Sequence, residues 1–283
     1  MTAEFLCAIC DGTGWAPVEV DGERRVGRCD CWRQSMSEKL LREANVRRRY
    51  EHCDFENFIT YPNERLLDAV KRARRFAEGF PVVERGMFFV GPPGIGKSHL
   101  AVAVLKKVIS TRGAKGLFYD VRELLRLIRS TYDPVARTAE TDIIQPVINA
   151  DLLVLDDIGA EKTSEWVEET LNLIVNSRYS EKRPTIFTSN YEEKEDPTDP
   201  DSLFVRVGYR MHSRLYEMCE FVEFDGADYR HREPNSGPED LLSLWKNQRR
   251  PKKLPSKFPR QARFGLGGRS PELRWPGGRA GRD

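Results

Sequence analysis

The sequence predicts an α/β fold built on a parallel five-stranded sheet flanked by helices, and three observations carry that expectation. Between residues 85 and 229, short apolar runs alternate with stretches of helical periodicity. A glycine-rich turn, Gly91-Pro92-Pro93-Gly94-Ile95-Gly96-Lys97-Ser98, joins the first of those runs to the first helical stretch. A later run, 152–155, ends in the paired carboxylates Asp156 and Asp157. Strands that alternate with helices are joined by crossovers, and crossovers lay helices over both faces of a parallel sheet.

The elements follow in chain order. Residues 1–32 hold four of the six cysteines, spaced by Gly12, Gly14, Pro17, Gly22 and Gly27. A segment this short cannot bury a sufficient core and reads as a loop-rich knuckle. Residues 33–84 read as a helical linker, with apolar positions Leu40, Leu41 and Ala44, then Leu66, Leu67, Val70, Ala73 and Phe76, near every 3.6 residues. Residues 85–230 form the principal domain, with strands expected at 87–90, 117–119, 152–156, 185–189 and 221–224. Helices are expected between them at 97–110, 122–132, 141–149, 165–179 and 204–218. Residues 231–283 lose all periodicity after Trp245, and Pro and Gly supply eleven of the last 38. That composition predicts a largely disordered tail.

Composition narrows the function classes. The longest apolar run, Leu100 to Leu105, is six residues, far below the roughly 18 that a membrane span requires, so no membrane role is expected. The first twelve residues carry Glu4 and Asp11 and no Lys or Arg, unlike a secretory signal, which points to a cytoplasmic protein with reduced cysteines. The net charge of +2 hides a segregation: residues 246–283 carry twelve Lys or Arg against Glu272 and Asp283, so the remainder is acidic. Trp245, Phe258, Phe264 and Trp275 stand among those basic residues, a pattern that suits single-stranded nucleic acid and equally suits a solvated terminus.

The chemistry centres on Gly91 to Ser98, which matches G-x-x-x-x-G-K-[ST] between a strand and a helix. Glycines let backbone N–H groups wrap phosphate oxygens, and the following helix turns its N-terminus toward the anion. Lys97 then reaches the β and γ phosphates of ATP, and Ser98 offers a hydroxyl to Mg²⁺. In the run that ends Leu155-Asp156-Asp157, Asp156 would hold Mg²⁺ through water while Asp157 orients and polarises the attacking water. The β-branched run Thr185 to Ser189 ends in Asn190, placed to bond the γ-phosphate or that water, or merely to cap a turn. Phe55 and Phe58 either line an adenine pocket or anchor the linker, and His99 reads as a packed neighbour of the loop.

This ordered set resembles the AAA+ ATPases, with Asn190 at the sensor 1 position. Within them it is similar to the bacterial helicase-loader group, DnaC and DnaI, and to the related IstB transposition helpers. The likeness rests on Phe55-Glu56-Asn57-Phe58, Gly91 to Leu100, Ala150 to Glu161, Asn176 to Tyr179 with Pro184 to Asn190, and Arg210 to Arg230. It implies that Arg214, in Ser213-Arg214-Leu215, is an arginine finger, with Arg210 as its competitor, and that Arg230 stands at a sensor 2 position. Asp157 replaces the Glu usual in the superfamily, and the chain after Asn190 is short for a full helical lid, so slow turnover is expected.

Cys7-x₂-Cys10 and Cys29-x-Cys31 place four thiols within 25 residues, for which tetrahedral Zn²⁺ is the economical account, with disulfides and free thiols as alternatives. DnaI-like loaders carry a comparable cysteine-rich segment. The implied function is an ATP-dependent loader of a replicative helicase onto single-stranded DNA, self-associating there, with hydrolysis timing release. A transposition helper that recruits a transposase is one alternative, and a nucleotide-sensing adaptor without turnover is another.

Overall fold

The computed structural model describes residues 7–249 except 21, 134–138, 162, 163, 193, 195, 197 and 233–236. Its centre is a parallel sheet of β3 (Gly86–Val90), β4 (Gly116–Asp120), β5 (Leu152–Asp156), β6 (Thr185–Ser189) and β7 (Cys219–Glu223), in the order β4-β5-β6-β3-β7. A two-stranded antiparallel hairpin, β1 (Trp15–Val20) and β2 (Glu23–Arg28), precedes it.

Every residue of β3, β5 and β6 is buried, because side chains that alternate along a strand meet a helical layer on each face. Met87, Phe89, Val154 and Ile186 enter one core with α1 (Asp30–Glu43), α2 (Glu64–Gly79) and α3 (Lys97–Arg112). Phe88, Val90, Leu153, Leu155 and Phe187 enter the other, with α4 (Val121–Ser130), α5 (Glu140–Asn149), α6 (Glu165–Ser180), α7 (Leu203–Val207) and α8 (Tyr209–Met218). The order sets β6 between β3 and β5, so the ends of three strands open onto one crevice.

The helix boundaries have local causes. Asn63, Asp120 and Ser164 each accept a backbone N–H of the first turn, from Leu66, Glu123 and Val167. The C-terminus of α5 is capped by arginines from elsewhere. Arg178, 1% exposed, donates to the carbonyls of Val147, Ile148 and Ala150 and also to Thr185 Oγ1 and the Pro184 carbonyl, at 2.7–3.1 Å. Arg183 takes the remaining Asn149 carbonyl at 2.8 Å. No carboxylate is among these partners, and burial lowers the Arg178 guanidinium to about 9.

The structure corrects the sequence expectation in several places. The helix expected over 204–218 is broken in two at Gly208, whose φ of 79° and ψ of 153° lie in a region only glycine adopts readily. The last strand begins at Cys219 rather than 221, since Cys219 pairs with Gly86. Residues 33–84 are more than a linker: Leu40, Ala44, Leu66, Ala69, Ala73 and Phe76 belong to the same core as Leu100 and Val104. The tail expected from residue 231 contains an ordered helix, α9 (Pro238–Arg249), because Leu241 buries itself in that core and Trp245 donates to Asp225 at 3.1 Å. From residue 250 onward the basic tail lies outside the described residues. Among the described residues, no helix is long and apolar enough to cross a membrane.

Candidate functional site

The glycine-rich loop leaves β3 at Gly91 and enters α3 at Lys97. Gly96 caps α3 with φ 102°, and a Cβ there would lie 2.6 Å from the Phe58 ring, so both backbone and neighbour demand glycine. Lys97 is 6% exposed. Its ammonium donates to the carbonyls of Gly91 and Pro92 at 2.7 Å each and to Asn190 Oδ1 at 2.8 Å. Burial lowers it to about 8.

Asn190, at the end of β6, is the bridge of the site. An ammonium can only donate, so the amide oxygen faces Lys97 and the amide nitrogen is left to donate to Asp157 Oδ1, at 2.6 Å. Asp157 holds φ at 63°, and its other oxygen pairs with Arg122 at 2.9 Å. Asp156 is buried, and desolvation raises its carboxyl above the usual carboxylate range. Thr188 joins the two acids: its hydroxyl donates to Asp156 Oδ1 at 2.6 Å and accepts the Asp157 backbone N–H at 2.9 Å.

The sequence reading missed Thr188 and Arg122. Thr188 carried a signal, since it stands two residues before Asn190 on the strand that leads to it. Arg122 carried none.

The metal donors suit the ions expected. Ser98 and Asp156 present hydroxyl and carboxylate oxygens, hard donors of the kind Mg²⁺ takes. Asp156 is a buried acid that accepts from the neutral Thr188 hydroxyl, which leaves its charge for a cation to neutralise.

At the other end of the chain, the Sγ atoms of Cys7, Cys10, Cys29 and Cys31 all lie within 4.8 Å of one another. Cys7 and Cys29 are 3.8 Å apart and Cys10 and Cys31 3.3 Å, too far for disulfides. Four sulfurs about 2.3 Å from one tetrahedral ion stand about 3.8 Å apart. Backbone N–H groups of Ile9 and Cys10 lower the Cys7 thiol to about 7, while the Cys10 and Cys29 sulfurs crowded against Cys31 raise its thiol.

The arginines divide. Asp228 abuts the loop so closely that a Cβ on Gly94 would lie 1.8 Å from its carboxylate, and the Tyr229 N–H donates to the Gly94 carbonyl at 2.9 Å. This contact brings Arg230 to the loop, where its charge opposes that of Lys97. Arg214 is elsewhere: with Arg210, whose carbonyl accepts from it at 3.2 Å, it lines a cavity of about 470 Å³ between α6 and α8. Glu165, Glu168 and Glu169 face the same cavity, and no residue of the glycine-rich loop does. Phe58 packs edge-on to His99 beside the loop, whereas Phe55 is buried under Arg74 and is an anchor.

A family model described as IstB-like ATP binding protein matches residues 30–236. The replicative helicase loader DnaC of Escherichia coli strain K12 is 32% identical over 166 residues, 57% of this chain and 66% of that protein. The chain thus spans just under two thirds of the length of this curated relative. A crystal structure of the DnaC helicase loader superposes with a TM-score of 0.56 at 32% identity, covering 63% of this chain and 99% of that one. A crystal structure of DnaI superposes at 0.52 with 21% identity over 66% of this chain and 95% of that one, a likeness of fold.

Proposed function

The chain belongs to the IstB-like ATP-binding protein family, and from that footing we propose that it is an AAA+ ATPase that loads a replicative helicase onto single-stranded DNA, with slow hydrolysis timing the release. The observation that carries this reading is the continuous chain Lys97–Asn190–Asp157, which ties the phosphate-binding loop to the acid next to the metal site.

Arriving phosphates would draw Lys97 off the loop carbonyls and free Asn190 Oδ1, so the amide that holds Asp157 senses the nucleotide. Asp157, released from Arg122, would accept a proton from the attacking water. Mg²⁺, held by Ser98 and through water by Asp156, would neutralise charge on the β and γ phosphates. Arg230 would reach the nucleotide within its own subunit. Arg214 would be offered to a neighbouring subunit's nucleotide, since its cavity lies apart from the loop, and this arrangement calls for self-association on DNA. Zn²⁺ on the four cysteines would fold the knuckle that grips the helicase. This is work for the cytoplasm.

The adaptor reading keeps one observation in its favour, the Arg122 ion pair that occupies Asp157. ATP turnover measured with and without single-stranded DNA, alongside capture of a replicative helicase with and without ATP, tests the proposal. DNA-stimulated turnover with nucleotide-dependent capture is expected. Capture without turnover would leave the adaptor, and capture of a transposase instead would leave the transposition helper.

A further inference from the structure

The segment that leaves β7 runs as a strap along the glycine-rich loop. At its start the Phe224 N–H donates to the Val90 carbonyl at 2.7 Å, and a Cβ on Gly91 would lie 2.3 Å from the Phe224 carbonyl oxygen. Further on, Asp228 abuts Gly94, and the Tyr229 N–H holds the Gly94 carbonyl at 2.9 Å. The same Asp228 carboxylate accepts the Arg230 N–H at 2.9 Å and so caps the 3₁₀ turn Tyr229–His231. A trans peptide carries its C=O and the following N–H on opposite sides. Fixing the Gly94 carbonyl to the strap therefore turns the Ile95 N–H away from it, and such oriented N–H groups are what a phosphate cradle is made of.

Residues 224–228 have no regular structure of their own, so their place depends on ties from other elements. Asn63, at the start of α2, donates through Nδ2 to the Asp225 carbonyl at 2.6 Å, and the Tyr61 hydroxyl accepts the Ala227 N–H at 2.9 Å. From the other end of the chain, Trp245 on α9 donates through Nε1 to Asp225 Oδ1 at 3.1 Å, and its ring meets Tyr61 with centroids 6.1 Å apart. An indole N–H can only donate and a carboxylate only accepts, so the polarity of this last tie is fixed. We propose that Trp245 is a positioning residue of the nucleotide site: from α9, through Asp225, it holds the strap against Gly91 and Gly94 and keeps the phosphate loop in its binding shape. The helix at the head of the basic tail thus bears on ATP affinity.

The inference rests on the reading of Gly91 to Ser98 as the phosphate-binding loop, and the test separates the two. A fluorescent ATP analogue is titrated onto the full chain, Trp245→Phe, Asp225→Ala, Asp225→Asn, the double variant Trp245→Phe with Asp225→Ala, and Lys97→Ala, under conditions where urea melts show each to be folded. Phenylalanine keeps a ring against Tyr61 and removes the N–H donor. Trp245→Phe and Asp225→Ala should each bind about three- to tenfold more weakly, as loss of one hydrogen bond dictates. The double variant should bind no more weakly than the weaker single one, because both remove the same tie. Asp225→Asn, which keeps an acceptor oxygen of the same reach, should recover most of what Asp225→Ala loses. Unchanged affinity in Trp245→Phe, with binding lost in Lys97→Ala, would overturn the role of Trp245 alone. Parent-like binding by Lys97→Ala would overturn the loop reading and the inference with it. Additive losses in the double variant, or no recovery in Asp225→Asn, would mean that the two residues act separately through packing, and would overturn the inference too.

Discussion

Raising the pH from 7 to 9.5 should weaken ATP binding about 30-fold through Lys97 alone. The ammonium is held among neutral acceptors, and burial lowers it to about 8. At pH 7 it is charged in about nine molecules of ten; at pH 9.5, about 1.5 pH units above its pKa, in about 3%. Phosphate favours the charged form, so binding above pH 8 must first restore the proton, at a cost of about 2 kcal/mol at pH 9.5. The nucleotide's own phosphates are fully ionised there and supply no competing uptake. Stability without nucleotide moves the opposite way. The unfolded chain keeps this proton up to about 10.5 while the folded chain releases it near 8, so between those values the unfolded state binds more protons and this group makes stability rise with pH. Weakened binding therefore cannot be ascribed to unfolding driven by Lys97. Calorimetry at pH 8.5 to 9.5 in buffers of different ionisation enthalpy should detect uptake of close to one proton per ATP bound. Lys97→Arg, which stays charged, should take up none. Buffer-independent heats in the parent, or equal uptake in Lys97→Arg, would refute the reasoning.

Arg178→Met should cost about 3 to 5 kcal/mol in a urea melt, because it strands the buried carbonyls at the end of α5; Arg178→Lys should lose most of the same amount, since one ammonium cannot span all of those acceptors. Asp157→Asn should bind ATP without hydrolysing it, and mixing it with Arg214→Ala should restore part of the turnover, with no restoration in stable mixed oligomers counting against a shared site. Purified protein should hold about one zinc per chain by elemental analysis, and a strong chelator should abolish helicase capture while ATP binding persists. Cutting after Arg249 removes ten Lys or Arg and two acids yet spares Trp245, and it should flatten the dependence of DNA affinity on salt; an unchanged slope would make the tail a bystander.

The parts of the site that were legible in the sequence are those fixed by local spacing. Gly91 to Ser98 and Leu152 to Asp157 announce themselves because a phosphate loop and an acidic strand end each need particular residue types in a row, and Asn190 follows from the same strand-end logic. What could not be read is how the groups pair. Arg122 reaches Asp157 across 35 residues and Lys97 reaches Asn190 across 93, and no periodicity encodes contacts between separate elements. Two of the corrections to the fold are equally physical. Gly208 stands within an apolar helical pattern that hides its backbone angles, and α9 stands at the head of a basic, Pro-rich stretch whose average composition masks the four apolar residues, Leu241, Leu242, Leu244 and Trp245, that dock it.

The layer formed by α1, α2 and α9 constrains how this gene can be cut and recombined. Two of these helices precede the phosphate loop and the third follows the last strand, yet all three cover one face of the sheet. A fragment starting at residue 85 would lose Leu66, Ala69, Ala73 and Phe76, and bare Phe89 and Val104 to water. If the knuckle grips the partner as proposed, an exchange of partner specificity between relatives would have to be spliced upstream of Leu40, in the stretch that holds the hairpin and its cysteines, where a new segment can be grafted without unroofing the sheet.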